Sequence, residues 1–162
     1  MKRLALSLAV ACVAAAGGLA SANARPAAIH HRTFKLTEHD GPFHFVDLPP
    51  QNGPGRTVSA GDLVILTNPL TGRDGARAGT LHAVCTVTDP RSSVETAIFQ
   101  CNGSYVLRRG TLAVSAIGPV AGASTLRIAV TGGTGAYAGA RGTVVSHRGR
   151  SGSRTDTVRL AR

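Results

Sequence analysis

From residue 32 onward, apolar and polar side chains alternate with a period of two in a series of short runs. Successive side chains on a strand face opposite ways, so such runs predict strands with one buried face. The clearest are Phe34–Thr37, Phe43–Asp47, Gly79–Thr88, Val94–Cys101, Thr125–Thr131, Thr143–His147 and Arg154–Leu160. Tyr105–Ile117 predicts a longer strand, bulged at Gly110. Gly61–Leu70 is apolar on both parities, with Leu63 and Ile65 on one side and Val64 and Leu66 on the other. That pattern predicts burial on both faces, with the outer face covered, for example by another subunit. Clusters rich in Gly, Pro, Ser or Arg at 48–56, 71–76, 119–122 and 148–153 predict the turns between runs. No helical period follows the first 24 residues. The chain is therefore expected to be all-β, and the pattern alone fits a barrel or a sandwich equally.

One pairing can be read in more detail. Gly79–Thr88 and Val94–Cys101 flank Asp89-Pro90-Arg91-Ser92 and predict a hairpin. Leu81, Ala83, Cys85 and Val87 share one face of the first run; Ala97, Phe99 and Cys101 share one face of the second. A register that sets Cys85 opposite Cys101 also sets Val87 opposite Phe99. Both sulfurs then lie on the apolar face, close enough to bridge. Such a disulfide should contribute about 3 kcal/mol. Asn102-Gly103, directly after it, is a strong two-residue turn signal, and the Asn102-Gly103-Ser104 sequon it creates is read as incidental.

The N-terminus changes the picture of compartment. Met1-Lys2-Arg3 is basic, Leu4–Leu19 is small and apolar, and Ala22-Asn23-Ala24 is a small-x-small site. This predicts a secretory signal peptide over 1–24, cleaved after Ala24, and a secreted product. Residues 25–32 are expected to form a loose N-terminus and 33–162 one domain, long enough for a real core. Two cysteines remaining after cleavage fit an oxidising destination. The net charge of the whole chain is +10. Apart from Lys2 and Lys35, every strong cation is arginine. A basic surface is expected, with attraction to acidic polymers or anionic surfaces as the sharper reading. Few aromatics and no visible stacking platform argue against nucleic acid.

The most unusual stretch is Gly132–Gly142, with Gly at 132, 133, 135, 139 and 142. A Gly-x-Gly after a strand opens like a dinucleotide fingerprint, but no helical pattern follows it. The stretch reads instead as a glycine-rich link between antiparallel strands. Together with Gly61–Asn68 and Gly79–Cys85, the segment Ala129–Gly135 through Ala140-Arg141-Gly142 resembles the superfamily of plant allene oxide cyclases, plant dirigent proteins and their bacterial relatives. The resemblance implies an eight-stranded antiparallel β-barrel, often trimeric, with a ligand cavity inside.

No standard catalytic signature is present: there is no Gly-x-Ser-x-Gly, His-Glu-x-x-His, Cys-x-x-Cys or Walker loop. The six histidines are scattered, so no metal site and no cofactor is expected. Glu38 and Asp40 are the one close pair of acids, read as ending the first strand. The resemblance adds candidates. Asn68 matches the Asn of a Thr-Asn motif whose polar group lies in the cyclase cavity, although capping a strand end would serve as well. Cys85 matches a cavity-region cysteine, for which Cys101 offers a structural partner. Arg141 matches the Arg of the dirigent Ala-Arg-Gly motif, where a cation can orient or stabilise a phenolic or quinone-methide intermediate, although it reads as well as one of many surface arginines. Lys35, in Phe34-Lys35-Leu36-Thr37, stands where the cyclases have a glutamate, which argues against true allene oxide cyclisation. The implied function is binding of a small apolar or amphipathic molecule in the cavity, with steering of its cyclisation or coupling. A carrier barrel without catalysis and a basic surface-interaction protein are the alternatives.

Overall fold

The computed structural model describes residues 32–49, 58–149 and 152–161. The predicted leader, its cleavage point after Ala24 and the segment as far as His31 lie outside the described residues. Nine strands are present among them: β1 (Arg32–Glu38), β2 (Phe43–Val46), β3 (Leu63–Thr71), β4 (Arg77–Asp89), β5 (Ile98–Leu107), β6 (Gly110–Gly118), β7 (Thr125–Gly133), β8 (Arg141–Arg148) and β9 (Arg154–Ala161). Each of β3 to β9 pairs antiparallel with the next. β1 pairs with β9 along its whole length, from Arg32–Leu160 to Glu38–Arg154. The ring closes through β1 and β3, at Thr37–Thr71 and Glu38–Leu70. β2 then continues along β3, from Phe43–Leu66 to Val46–Leu63. β1 and β2 act as one strand broken at 39–42, and the break is stitched to β3 by His39 N–H to Pro69 O and Thr67 N–H to Pro42 O, both 3.0 Å. Counting β1 and β2 as one staggered strand gives the closed eight-stranded antiparallel barrel that the resemblance implied.

Up-and-down order gives the barrel two distinct ends. One carries the β3–β4, β5–β6 and β7–β8 connections, the start of β1 and the end of β9. The other carries the end of β2, the start of β3, the 90–97 and 119–124 connections, the end of β8 and the start of β9.

The predicted hairpin is present, with Cys85 opposite Cys101 and Val87 opposite Phe99. The cysteines form a disulfide between Cα atoms 4.0 Å apart. Two local expectations are corrected. β5 begins at Ile98, not Val94, because Thr96 and Ala97 both turn back to the Ser93 carbonyl in a helix-like loop. Asn102-Gly103 is not a turn: β5 runs straight through it, and the chain reverses at Arg108-Arg109, so Tyr105–Ile117 is two strands rather than one bulged strand. Pairing on both sides outweighs the turn preference of the dipeptide. Gly103 lies between Ala83 and Val114, where a Cβ would come within 2.9 Å of the His82 carbonyl. Its smallness serves strand contact.

The glycine-rich stretch does link antiparallel strands. It includes a short 3-10 turn, Gly135–Tyr137, which caps one end of the barrel with the buried Tyr137 ring. Gly142 begins β8 with φ +152°, and a Cβ there would meet the Arg159 carbonyl at 2.0 Å. Only glycine allows that approach.

Inward positions build two core clusters. Leu36, Leu70, Leu112, Val130, Val144, Val158 and Leu160 pack with Tyr137 toward the 3-10 turn. Val58, Cys85, Val87, Ala97 and Phe99 pack beneath the 90–97 loop. The expected double burial of β3 is not seen in the single chain: Ile65 faces outward and stays exposed.

Candidate functional site

A cavity of about 100 Å³ lies within the barrel. Leu81, Ala83, Val114, Leu126 and Ile128 give it apolar walls, and the Cys85–Cys101 disulfide lines it too. It shares Glu38, Val120, Leu126 and Arg154 with a more polar space of about 250 Å³, which Asp40, Asn68 and Arg148 also line. The second space is the mouth, at the end carrying the 119–124 connection and the start of β9.

The polar groups arrive by strand alternation. Glu38 shares its face with Leu36; Asp156 shares its face with Val158 and Leu160; Tyr105 follows Cys101 and Gly103 on the inner face of β5. All three are buried. The Tyr105 hydroxyl donates to Asp156 Oδ2 at 2.8 Å. Asp156 Oδ1 is buried without a hydrogen bond of good geometry, and Ser146, directly opposite on β8, also acts on this carboxylate. Asn68 Nδ2 donates to Glu38 Oε1 at 2.5 Å, while Asn68 Oδ1 accepts from the Gly41 N–H at 3.1 Å. Arg154 Nε donates to Ser146 Oγ at 2.9 Å, and its other nitrogens reach the carbonyls of Ser146 and Ala123, each at 3.3 Å.

Burial dominates the protonation of this set. Desolvation raises the Glu38 carboxyl above its ordinary value, against the Asn68 hydrogen bond that favours its charged form. Desolvation also raises Asp156, against hydrogen bonding by Ser146 and Tyr105. The Tyr105 hydroxyl is pushed well above the usual tyrosine range by desolvation first and by the Asp156 charge second. Arg154 is lowered by desolvation and by the nearby Arg148. Two carboxyls with raised pKa values beside a cation can donate as well as accept protons or hydrogen bonds.

The candidates from sequence fare unequally. Asn68 is at the mouth, where it orients Glu38 and also ties the strand break at Gly41. Cys85 and Cys101 line the chamber as a disulfide, so Cys85 offers no free thiol. Lys35 is exposed, one parity away from Leu36 and Glu38. It is not a cavity residue, and the inward acid of the first strand is Glu38. Arg141 is likewise exposed, at the opposite end of the barrel from the mouth, with Nη1 on the Ala140 carbonyl at 2.9 Å. Its motif match does not put it near the chamber. Arg154, one of the many arginines of a chain expected to have a basic surface, turns inward. Glu38, Tyr105 and Asp156 were missed as a site although parity marks them, each sharing a face with inward apolar or small residues.

These features define a closed antiparallel barrel with an apolar chamber and a small set of buried acid groups at its polar end. The chain belongs to the allene oxide cyclase barrel like domain family, whose model matches residues 44–157. Among solved structures it is similar to a pyocyanin demethylase, with a TM-score of 0.67 and 20% identity over 80% of this chain and 99% of that one. It is also similar to a pterocarpan synthase dirigent protein, with a TM-score of 0.58 and 19% identity over 85% and 96% of the two chains. An exo-specific intermolecular Diels-Alderase gives a TM-score of 0.59 and 10% identity over 82% and 99%. At these identities the likeness is one of fold. No curated protein matches the sequence.

Proposed function

We propose that this protein is an exported barrel that takes a small, mostly apolar molecule into its chamber and steers the cyclisation or coupling of that molecule. The observation that carries this reading is an apolar chamber whose wall also presents Glu38, Tyr105, Ser146 and Arg154, with Asp156 buried behind the Tyr105 hydroxyl. A polar group of a bound molecule can meet Glu38 or Arg154 on that wall. A cavity of about 150 Å³ is enough for a benzene ring, so the chamber with its mouth suits a compact ring or short chain. The walls fix the conformer, and orientation supplies most of the acceleration. Glu38, Asp156 and Arg154 act on charge that develops as bonds rearrange, in a site of low dielectric. The reading needs no cofactor. The pterocarpan synthase dirigent protein and the Diels-Alderase among its structural relatives support cyclisation as the reaction class.

Two further properties belong to this proposal. Export is supported by the leader-like residues 1–24 and by the Cys85–Cys101 bridge, which suits an oxidising compartment. Self-association is supported by the outer wall, where Ile65 is directly opposite Val84 and both are exposed, with Val106 exposed on the next strand.

Native mass spectrometry of the protein taken from culture, combined with ligand-observed NMR using 1-naphthol and indole as probes, tests the chamber. A retained small molecule, or probe binding that Ala116→Leu abolishes, is the expected result. Ala116 lines the chamber beside Cys101, and a larger side chain there fills it. Failure to bind any probe, with Ala116→Leu indistinguishable from the parent, would sink the reading. A bound molecule that always returns unchanged would make the barrel a carrier.

A further inference from the structure

Among the described residues, the charges of this barrel are segregated along its axis. Six arginines occupy the end opposite the mouth: Arg32 at the start of β1, Arg73 and Arg77 at the β3–β4 connection, Arg108 and Arg109 at the β5–β6 turn, and Arg141 at the start of β8. All six are exposed. Asp74 is the one acid of that end among the described residues, and its carboxylate is engaged by the Ala76 N–H at 3.1 Å. None of the six arginines forms an ion pair among the described residues. Among the described residues the mouth end instead carries the exposed Asp40, Asp47, Asp89 and Glu95, with Arg91 and Arg148 as its outer cations. A solvated surface that merely keeps the protein soluble has no need of such polarity.

The basic end also has a shaped feature. A groove of about 410 Å³ runs between Arg77 and Arg108, with Ala78, Gly79, Thr80, Val106 and Leu107 along it. Gly79 lets β4 and β5 meet closely along it, because a Cβ there would come within 2.1 Å of the Val106 carbonyl. Arg77 of β4 and Arg108 of the β5–β6 turn both border this open depression, so an anion lying in it meets cations from both. Arginine presents its donors as a rigid fork that matches phosphate oxygens in pairs.

We propose that the arginine-bearing end is a docking pole for a flexible polymer of repeating phosphate groups, with the Arg77–Arg108 groove as its principal contact. The choice of a polymer over a lipid surface follows from composition. Among the described residues, Val106 is the sole exposed large hydrophobic residue near this end; Phe43, Phe45 and Leu48 belong to the 43–48 stretch leading to the mouth. A membrane-seated pole would carry apolar or aromatic wedges among its cations. Docking at this end leaves the chamber mouth pointing away from the polymer and open to solvent.

Inorganic polyphosphate is the probe, and binding to the purified protein is followed by fluorescence anisotropy over a range of salt concentrations. The logarithm of affinity should fall linearly with the logarithm of salt, with a slope of about −3 to −4 for roughly five neutralised phosphates. The double variant Arg77→Gln/Arg108→Gln should bind at least tenfold more weakly. Lys35→Gln/Arg127→Gln removes the same charge from the barrel wall and should cost less than threefold. Both double variants change exposed side chains, and their melting curves report folding directly. Equal losses from the two would show a generic charge effect and overturn the groove. Absence of polyphosphate binding at low salt, or binding confined to phosphatidylserine vesicles, would overturn the pole as assigned.

Discussion

Tyr105 and Asp156 meet across the interior of the barrel: a hydroxyl on β5 donates to a carboxylate on β9 at 2.8 Å, across 51 residues of sequence. The contact ties one wall to the opposite one through the polar end of the chamber. Tyr105→Phe removes the donor and leaves Asp156 Oδ2 without its partner. A loss of about 1–3 kcal/mol is expected, the cost of an unsatisfied buried acceptor. Chemical denaturation of the variant measures it. Stability within about 0.3 kcal/mol of the parent would mean that water substitutes fully for the hydroxyl.

The same burial sets an inverted response to acid. Glu38 and Asp156 have folded-state pKa values raised above 4.5 and 3.8. The folded state therefore holds protons that the unfolded chain releases first. Their contribution to stability is fully present below those unfolded values and is lost as pH rises through the folded ones. Melting temperatures between pH 4 and pH 8 should decline more steeply for the parent than for Glu38→Gln/Asp156→Asn. Parallel curves would show that neither carboxyl carries the effect.

The disulfide between Cys85 and Cys101 spans a sequence separation of 16. Cys85→Ala/Cys101→Ala should lose about 3 kcal/mol through the freed denatured chain. It also enlarges the chamber, so 1-naphthol binding should persist or strengthen when measured below the new melting point. Loss of binding in a folded variant would mean that the bridge shapes the ligand site directly.

On the outer wall, Val84→Lys should leave the fold intact and disrupt self-association, because it puts a charge in the middle of the Ile65–Val84–Val106 surface. Light scattering after size exclusion distinguishes the outcomes. A parent protein that is monomeric at all concentrations would remove the reason for the apolar wall.

Gly142→Ala tests the glycine-rich link. A side chain at φ +152° would also have to displace the Arg159 carbonyl, so a loss of more than about 2 kcal/mol is expected. Thermal melting reads it, and a neutral result would require β9 to shift away from β8.

Much of this architecture is legible in the alternation of side chains, and the register at Cys85 and Val87 follows from two facing apolar runs. Asn102-Gly103 misleads because a turn dipeptide can serve a strand that needs a residue without a Cβ. Lys35 and Arg141 mislead because motif matching ignores parity: each faces away from the apolar residues beside it. Parity alone puts Glu38, Tyr105 and Asp156 inward. Their convergence is invisible in sequence, since it depends on how the ring closes and which strands then face one another. The arginine pole is hidden for the same reason, its members being scattered over four connections and strand ends.

The ring is sealed by its first and last strands. β1 lies against β9 over seven residue pairs, yet touches β3 at only two, beside the break at 39–42. During synthesis β1 therefore waits with one edge unpaired until β9 has been made. Such a non-local closure is slow, and the waiting edges are open to other strands. The chamber does not exist before that moment, so a bound molecule can be admitted only by a finished barrel, and dilute conditions or a chaperone that covers edges should govern its yield.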